Sequence, residues 1–197
     1  MPTSNPAAPN RAAFDFLLNR ASHSAKLFSG PVPDRDQLRL ILTAASRVPD
    51  HGKLEPWRLV VLETGAMPRL AALAEAHARS IGADADKTAK ARGQFDFGKL
   101  AVAVIASPKV SEKVPPVEQL LSAGALCLGI VNAATAAGWG ANWLSGWPSH
   151  DPAFAAQAFG CSAQETVAGI IHIGTPGNAG QDRPRPDLDR LITWTAA

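Results

Sequence analysis

Apolar residues follow two rhythms along this chain. Leu38, Ile41, Leu42 and Ala45 recur at helical spacing, whereas 59–62 and 100–106 (LAVAVIA) are short continuous runs of strand type. The pattern predicts helices over 12–19, 33–47, 67–80, 84–92, 120–137 and 152–159, with Asp34 as an N-cap. Strands are predicted over 57–63, 100–106 and 167–173, with a compact aromatic and glycine segment at 139–147. Helices alternating with inward apolar strands predict one layered α and β domain over 12–197, without internal repeats.

Composition narrows the class. The chain has 197 residues, 46% hydrophobic and 18% charged, enough for a sizeable core and unlike fibrous or disordered chains. A net charge of +2 gives no field that suggests nucleic acid, so a small molecule or a second copy is the expected partner. Cys127 and Cys161 form neither a disulfide framework nor a zinc spacing, and a reducing compartment fits. Residues 1–11, MPTSNPAAPNR, have no apolar h-region and are expected to be a disordered tail on a cytoplasmic protein.

The 120–137 run is barely long enough to cross a bilayer, but its Ala and Gly content, Asn132 and Thr135 predict a buried helix instead. Ser122, Ala125, Gly129, Ala133 and Ala136 make a small-residue stripe on it. That stripe suits either the chain's own core or the same helix of a second subunit.

Motifs for chemistry are sparse. Gly138-Trp139-Gly140 begins like a dinucleotide fingerprint but follows a helix and has Trp143 where the third glycine belongs. Ser145 lacks a Gly-x-Ser-x-Gly frame. The histidines at 23, 51, 77, 150 and 172 show no ligand spacing, so no metal site is expected. His51 stands beside Asp50 and Gly52 in an over-long connection before the first strand, either as a turn residue or as a ligand contact. Arg183 and Arg185 alternate in the proline-stiffened DRPRPD, and Arg20 closes the first helix next to Ser22. Arginines so placed suit a phosphate, which they bind by charge-assisted hydrogen bonds.

The order of these pieces is more specific than any one of them. R-x-S after a first helix, R-x-P-D-H-x-x-x-x-P-W before the first strand, G-W-G-x-x-W-x-S-G after a long helix, and G-T-P followed by R-x-R resemble the FMN-dependent nitroreductases, in their short single-domain branch. The resemblance runs from about Ala12 to Trp194.

It implies an α+β nitroreductase-like fold, with a central mixed sheet flanked by helices, in an intertwined homodimer holding FMN at the subunit interface. Arg20 and Ser22 match residues that hold the phosphate and ribityl chain. Arg47 and His51 match FMN contacts, Trp143, Leu144 and Ser145 match backbone beside the isoalloxazine ring, and Arg183 and Arg185 match basic residues closing on the phosphate. The implied activity is hydride transfer from NAD(P)H, through FMN, to a nitroaromatic, quinone or similar acceptor by a ping-pong mechanism, with no catalytic side chain required. Some relatives carry arginine where this chain has Ala21 and Leu144. That difference raises the alternative of an FMN-binding or FMN-carrying dimer without significant turnover.

Overall fold

In a computed structural model, which describes residues 8–177 and 184–196, the chain alternates helices and strands. It runs α1 (Arg11–Asn19), α2 (Arg35–Ala45), β1 (Trp57–Leu62), α3 (Met67–Ser80), α4 (Ala85–Asp96), β2 (Leu100–Ala106) and α5 (Pro116–Ala136). β3 (Gly140–Leu144), α6 (Trp147–His150), α7 (Pro152–Phe159) and β4 (Thr166–Gly174) follow.

The sheet order is β1-β2-β4-β3, and every neighbouring pair is antiparallel. This corrects the mixed sheet implied by the resemblance. α5 does return the chain so that β2 and β3 point the same way, but β4 comes in between them from the opposite direction. Strands that share a direction are therefore never neighbours.

β2 lies in the middle with every residue buried. Its period of two divides the core. Ala101, Ala103 and Ile105 face the layer of α3, α4 and α7, while Leu100, Val102 and Val104 face α2 and α5. Fully burying a side chain such as Leu126 or Ile130 of α5 contributes roughly 1.5–3 kcal/mol.

The helix ends follow their sequences. Asp34 accepts the Gln37 amide at 2.8 Å and Gln37 accepts the Asp34 amide at 3.0 Å, a reciprocal cap for α2. α5 begins at Pro116, four residues before the apolar run, because proline is pre-set for the first helical position.

Gly129 and Ser122 of the small-residue stripe on α5 meet α2 and β1 of the same chain, while Ala136 stays exposed. A β-carbon at Gly129 would lie 2.7 Å from the Ala45 carbonyl oxygen, so α2 rests directly on α5 there. Ser122 accepts the Trp57 indole N–H at 3.2 Å. The face of α5 that stays open carries Val117, Leu121 and Leu128, so the helix is not buried all round.

Candidate functional site

Arg20 ends α1, its amide bonded to the Phe16 carbonyl, and the backbone leaves in extended conformation. Residues 20–24 then run beside β3. The His23 amide donates to the Ala141 carbonyl at 3.3 Å, and the Asn142 side-chain amide donates to the His23 carbonyl.

Beyond this segment, Phe28 is seated on two facing glycines. Gly140 and Gly174 pair across β3 and β4, and a β-carbon on either would come within 2.6 Å and 2.9 Å of Phe28 side-chain atoms. Ser29 and Thr175 exchange backbone hydrogen bonds at 3.1 and 3.0 Å, and the Thr175 hydroxyl donates to the Pro31 carbonyl at 2.6 Å. The second glycine of G-W-G and the G-T motif thus hold the stretch that follows Arg20.

The Arg20 guanidinium reaches Ser22 Oγ at a long 3.5 Å, and its buried Nε has no hydrogen-bond partner among the described residues. Buried donors are nearly always paired, which makes this one an exception among the described residues. Arg185 donates to the Leu18 carbonyl, two residues before Arg20 at the same end of α1. Arg183 lies outside the described residues.

Trp143 and Leu144 are the last residues of β3, facing Ile171 and Ile170 across the ladder. The Trp143 indole lies over Gly169, where a β-carbon would meet Nε1 at 2.1 Å. Ser145 follows, exposed, and then Gly146 in extended conformation.

Arg47 and His51 occupy a second location. The Asp50 carboxylate accepts the amides of Leu54 and Glu55 at 3.1 and 2.8 Å and thereby folds the connection tightly. Gly52, Lys53 and Glu55 have φ of +75°, +53° and +48° there. That conformation costs about 1–2 kcal/mol for each non-glycine residue, which the Asp50 bonds offset. His51 Nδ1 meets Glu118 Oε2 at 2.7 Å, in the first turn of α5. Exposed Arg47 has no hydrogen-bond or ion-pair partner among the described residues.

His51 is tied to Glu118 in the first turn of α5, whereas the Arg20 segment lies beside β3, which follows the last turn of that helix. Sequence reasoning found the arginines but missed Phe28, Asn142 and Glu118. The Gly140 and Gly174 motifs were the available signal for Phe28, whereas Glu118 becomes a partner of His51 only through folding.

An antiparallel sheet between two helical layers, with the Arg20 segment running beside its edge strand β3, defines an α+β domain. The profile of the nitroreductase family matches residues 18–175, and this chain belongs to that family. It is 36% identical over 183 residues to "Putative NAD(P)H nitroreductase YdjA" of Escherichia coli (strain K12), covering 92% of this chain and 98% of that protein. It is 35% identical over 165 residues to the Haemophilus influenzae "Putative NAD(P)H nitroreductase", covering 83% and 88%. A nitroreductase-like protein from Bacillus cereus superposes with a TM-score of 0.77 at 19% identity, covering 96% of this chain and 99% of the other. A variant of the FMN and NADPH-dependent nitroreductase NfnB, from sphigopyxis sp. strain HMH, superposes with a TM-score of 0.70 at 19% identity, covering 93% and 99%. These likenesses establish the nitroreductase-like fold.

Proposed function

We propose that this chain is an FMN-dependent oxidoreductase that moves a hydride from NAD(P)H to a nitroaromatic, quinone or similar small acceptor in two successive half-reactions. The observation that carries the reading is the buried Arg20 Nε, without a hydrogen-bond partner among the described residues, next to Ser22 and at the end of α1 that Arg185 also contacts. Arg20 and Arg185 would hold the phosphate and Ser22 the ribityl chain, with the backbone of Trp143, Leu144 and Ser145 beside the ring. FMN, when bound, supplies the two-electron chemistry, and the protein's part is to bind, orient and exclude water.

The same reading includes a homodimer, in which Arg47 and His51 of one copy complete the site on the other. Two observations support it besides the separation of the two groups. Val117, Leu121 and Leu128 leave an apolar face open on α5, a feature of interaction surfaces. An open groove of about 1100 Å³ also runs between α2 and the edge strand β1, lined by Leu38, Leu42, Leu59 and Val61. Leu188, Leu191, Ile192 and Trp194 near the C-terminus are exposed, apolar and of a kind to fill it from a second copy.

Leu144 favours a second reading, an FMN-binding dimer without turnover. It is half-buried opposite Ile170 and brings no charge to stabilise an anionic reduced ring. One experiment separates the readings. The purified protein should be yellow or take up FMN, and should bleach when NAD(P)H is added without oxygen. A flavin-loaded protein that stays oxidised supports the second reading, and a colourless protein that takes up no FMN rejects both.

A further inference from the structure

His77 belongs to α3, yet its ring is bound up with α6, the four-residue helix entered from Ser145 and Gly146. Its imidazole lies flat against the Trp147 indole, with ring centres 5.5 Å apart and planes 18° apart. Trp147 opens α6. At the other end, Asp151 closes α6 and caps α7 by accepting the Phe154 amide at 2.8 Å. The same carboxylate oxygen lies 3.0 Å from His77 Nε2, an ion-pair contact when the imidazole is protonated. Phe154 packs against both rings.

A helix of one turn does not hold itself, so tertiary contacts must fix α6. We propose that His77 is a positioning residue: its imidazole braces both ends of α6 and thereby sets the Ser145 and Gly146 turn. Protonation strengthens both contacts, adding cation–π attraction to the indole face and charge attraction to Asp151. The neutral ring keeps only the packing. The Asp151 carboxyl is held below its usual range, first by the Phe154 amide and further by His77.

Other charged groups nearby are engaged elsewhere. Glu75 of α3 pairs with Arg79 and with Arg92 of α4, and Arg92 also pairs with Asp96. His150 of α6 is exposed. Among the described residues, Asp151 is the charged group within ion-pair distance of the His77 ring.

The consequence for flavin rests on the function proposed above, whereas the brace itself is testable without flavin. Hydrogen exchange reads it directly, because the Ser149 and Asp151 amides bond to the Gly146 and Trp147 carbonyls at 2.9 Å. At pH 6, His77→Phe keeps a stacked ring, and Asp151→Asn keeps the cap. Each should speed exchange of these two amides roughly three- to tenfold, with amides of β2 unchanged. Tryptophan emission of the flavin-free protein should differ between wild type and His77→Phe, because the imidazole is stacked on the Trp147 indole. The difference should vanish when both proteins also carry Trp147→Phe. Affinity for FMN and for riboflavin should be roughly three- to tenfold weaker in His77→Phe than in wild type.

Unchanged exchange in both variants, or an emission difference that survives Trp147→Phe, overturns the brace. Exchange and emission that respond while flavin affinity is the same in wild type and His77→Phe overturn its role in positioning the turn. Failure of wild type to bind either flavin rejects the proposed function and leaves the exchange result to decide the brace.

Discussion

The Phe28 ring lies on Gly140, close enough that a β-carbon there would approach Phe28 Cε1 to 2.6 Å. An interaction between a loop and an edge strand thus fixes where the chain goes after Arg20. Phe28→Ala should cost about 3–5 kcal/mol, as expected for emptying a buried phenyl site. Gly140→Val should also destabilise, since the Pro176 backbone closes the site at 3.1 Å. Urea denaturation of both variants measures this, and wild-type midpoints would remove the socket from the account.

Arg20→Ala and Arg185→Ala should each weaken FMN about tenfold or more, since a hydrogen bond to a charged group contributes about 1.5–3 kcal/mol. Riboflavin, which lacks the phosphate, should bind nearly as before. Titrating both flavins gives the ratio, and equal losses would assign these arginines to the fold or to the ring.

The two faces of α5 predict different outcomes. Gly129→Leu should lower the melting temperature of the chain, because the added atoms meet the Ala45 backbone and not a second subunit. Leu121→Asp, on the open face, should leave the fold intact and shift dimer to monomer. Light scattering beside thermal melts checks the pair, and dissociation by Gly129→Leu without loss of stability would reverse the assignment.

Acid should destabilise the protein in two windows. His172 is fully buried with neither ring nitrogen bonded among the described residues, and burial pushes it down from 6.5 to about 4. The unfolded chain therefore takes up this proton first, and stability contributed by the neutral ring is lost as pH falls from 6.5 towards 4. Glu165 is held down from 4.5 to about 2, chiefly by its hydrogen bonds from Arg58, at 2.7 and 2.9 Å. Its contribution is present above pH 4.5 and disappears as pH falls towards 2. Melting temperatures of His172→Leu should flatten across the first window and those of Glu165→Gln across the second. An unaltered profile in either variant would exclude that residue.

Much of the fold was legible in the chain. The helices 67–80 and 152–159 and the strand 100–106 appear with the ends read from periodicity, capping and proline, all of which act between near neighbours. α6 was not legible, because one turn carries too little periodicity, and its Trp147 packs on His77, seventy residues earlier. For the candidate site, residue types and motif order singled out Arg20, Ser22, Arg185, Arg47 and His51. Their division into two groups was not visible, since it depends on where the ends of α5 come to lie.

Local sequence thus specified most of the elements, though not β3 or α6, and the small-residue character of α5. It left open which partner that stripe meets, how the strands pair, and which polar groups stay unpaired. Those outcomes depend on contacts between distant residues, such as Gly129 with Ala45, His51 with Glu118, and Gly140 with both Phe28 and Gly174. A window of neighbours contains no such contact. The Arg20 Nε, unpaired among the described residues, is the plainest case, because an orphaned donor is recognised only from the positions of the groups around it.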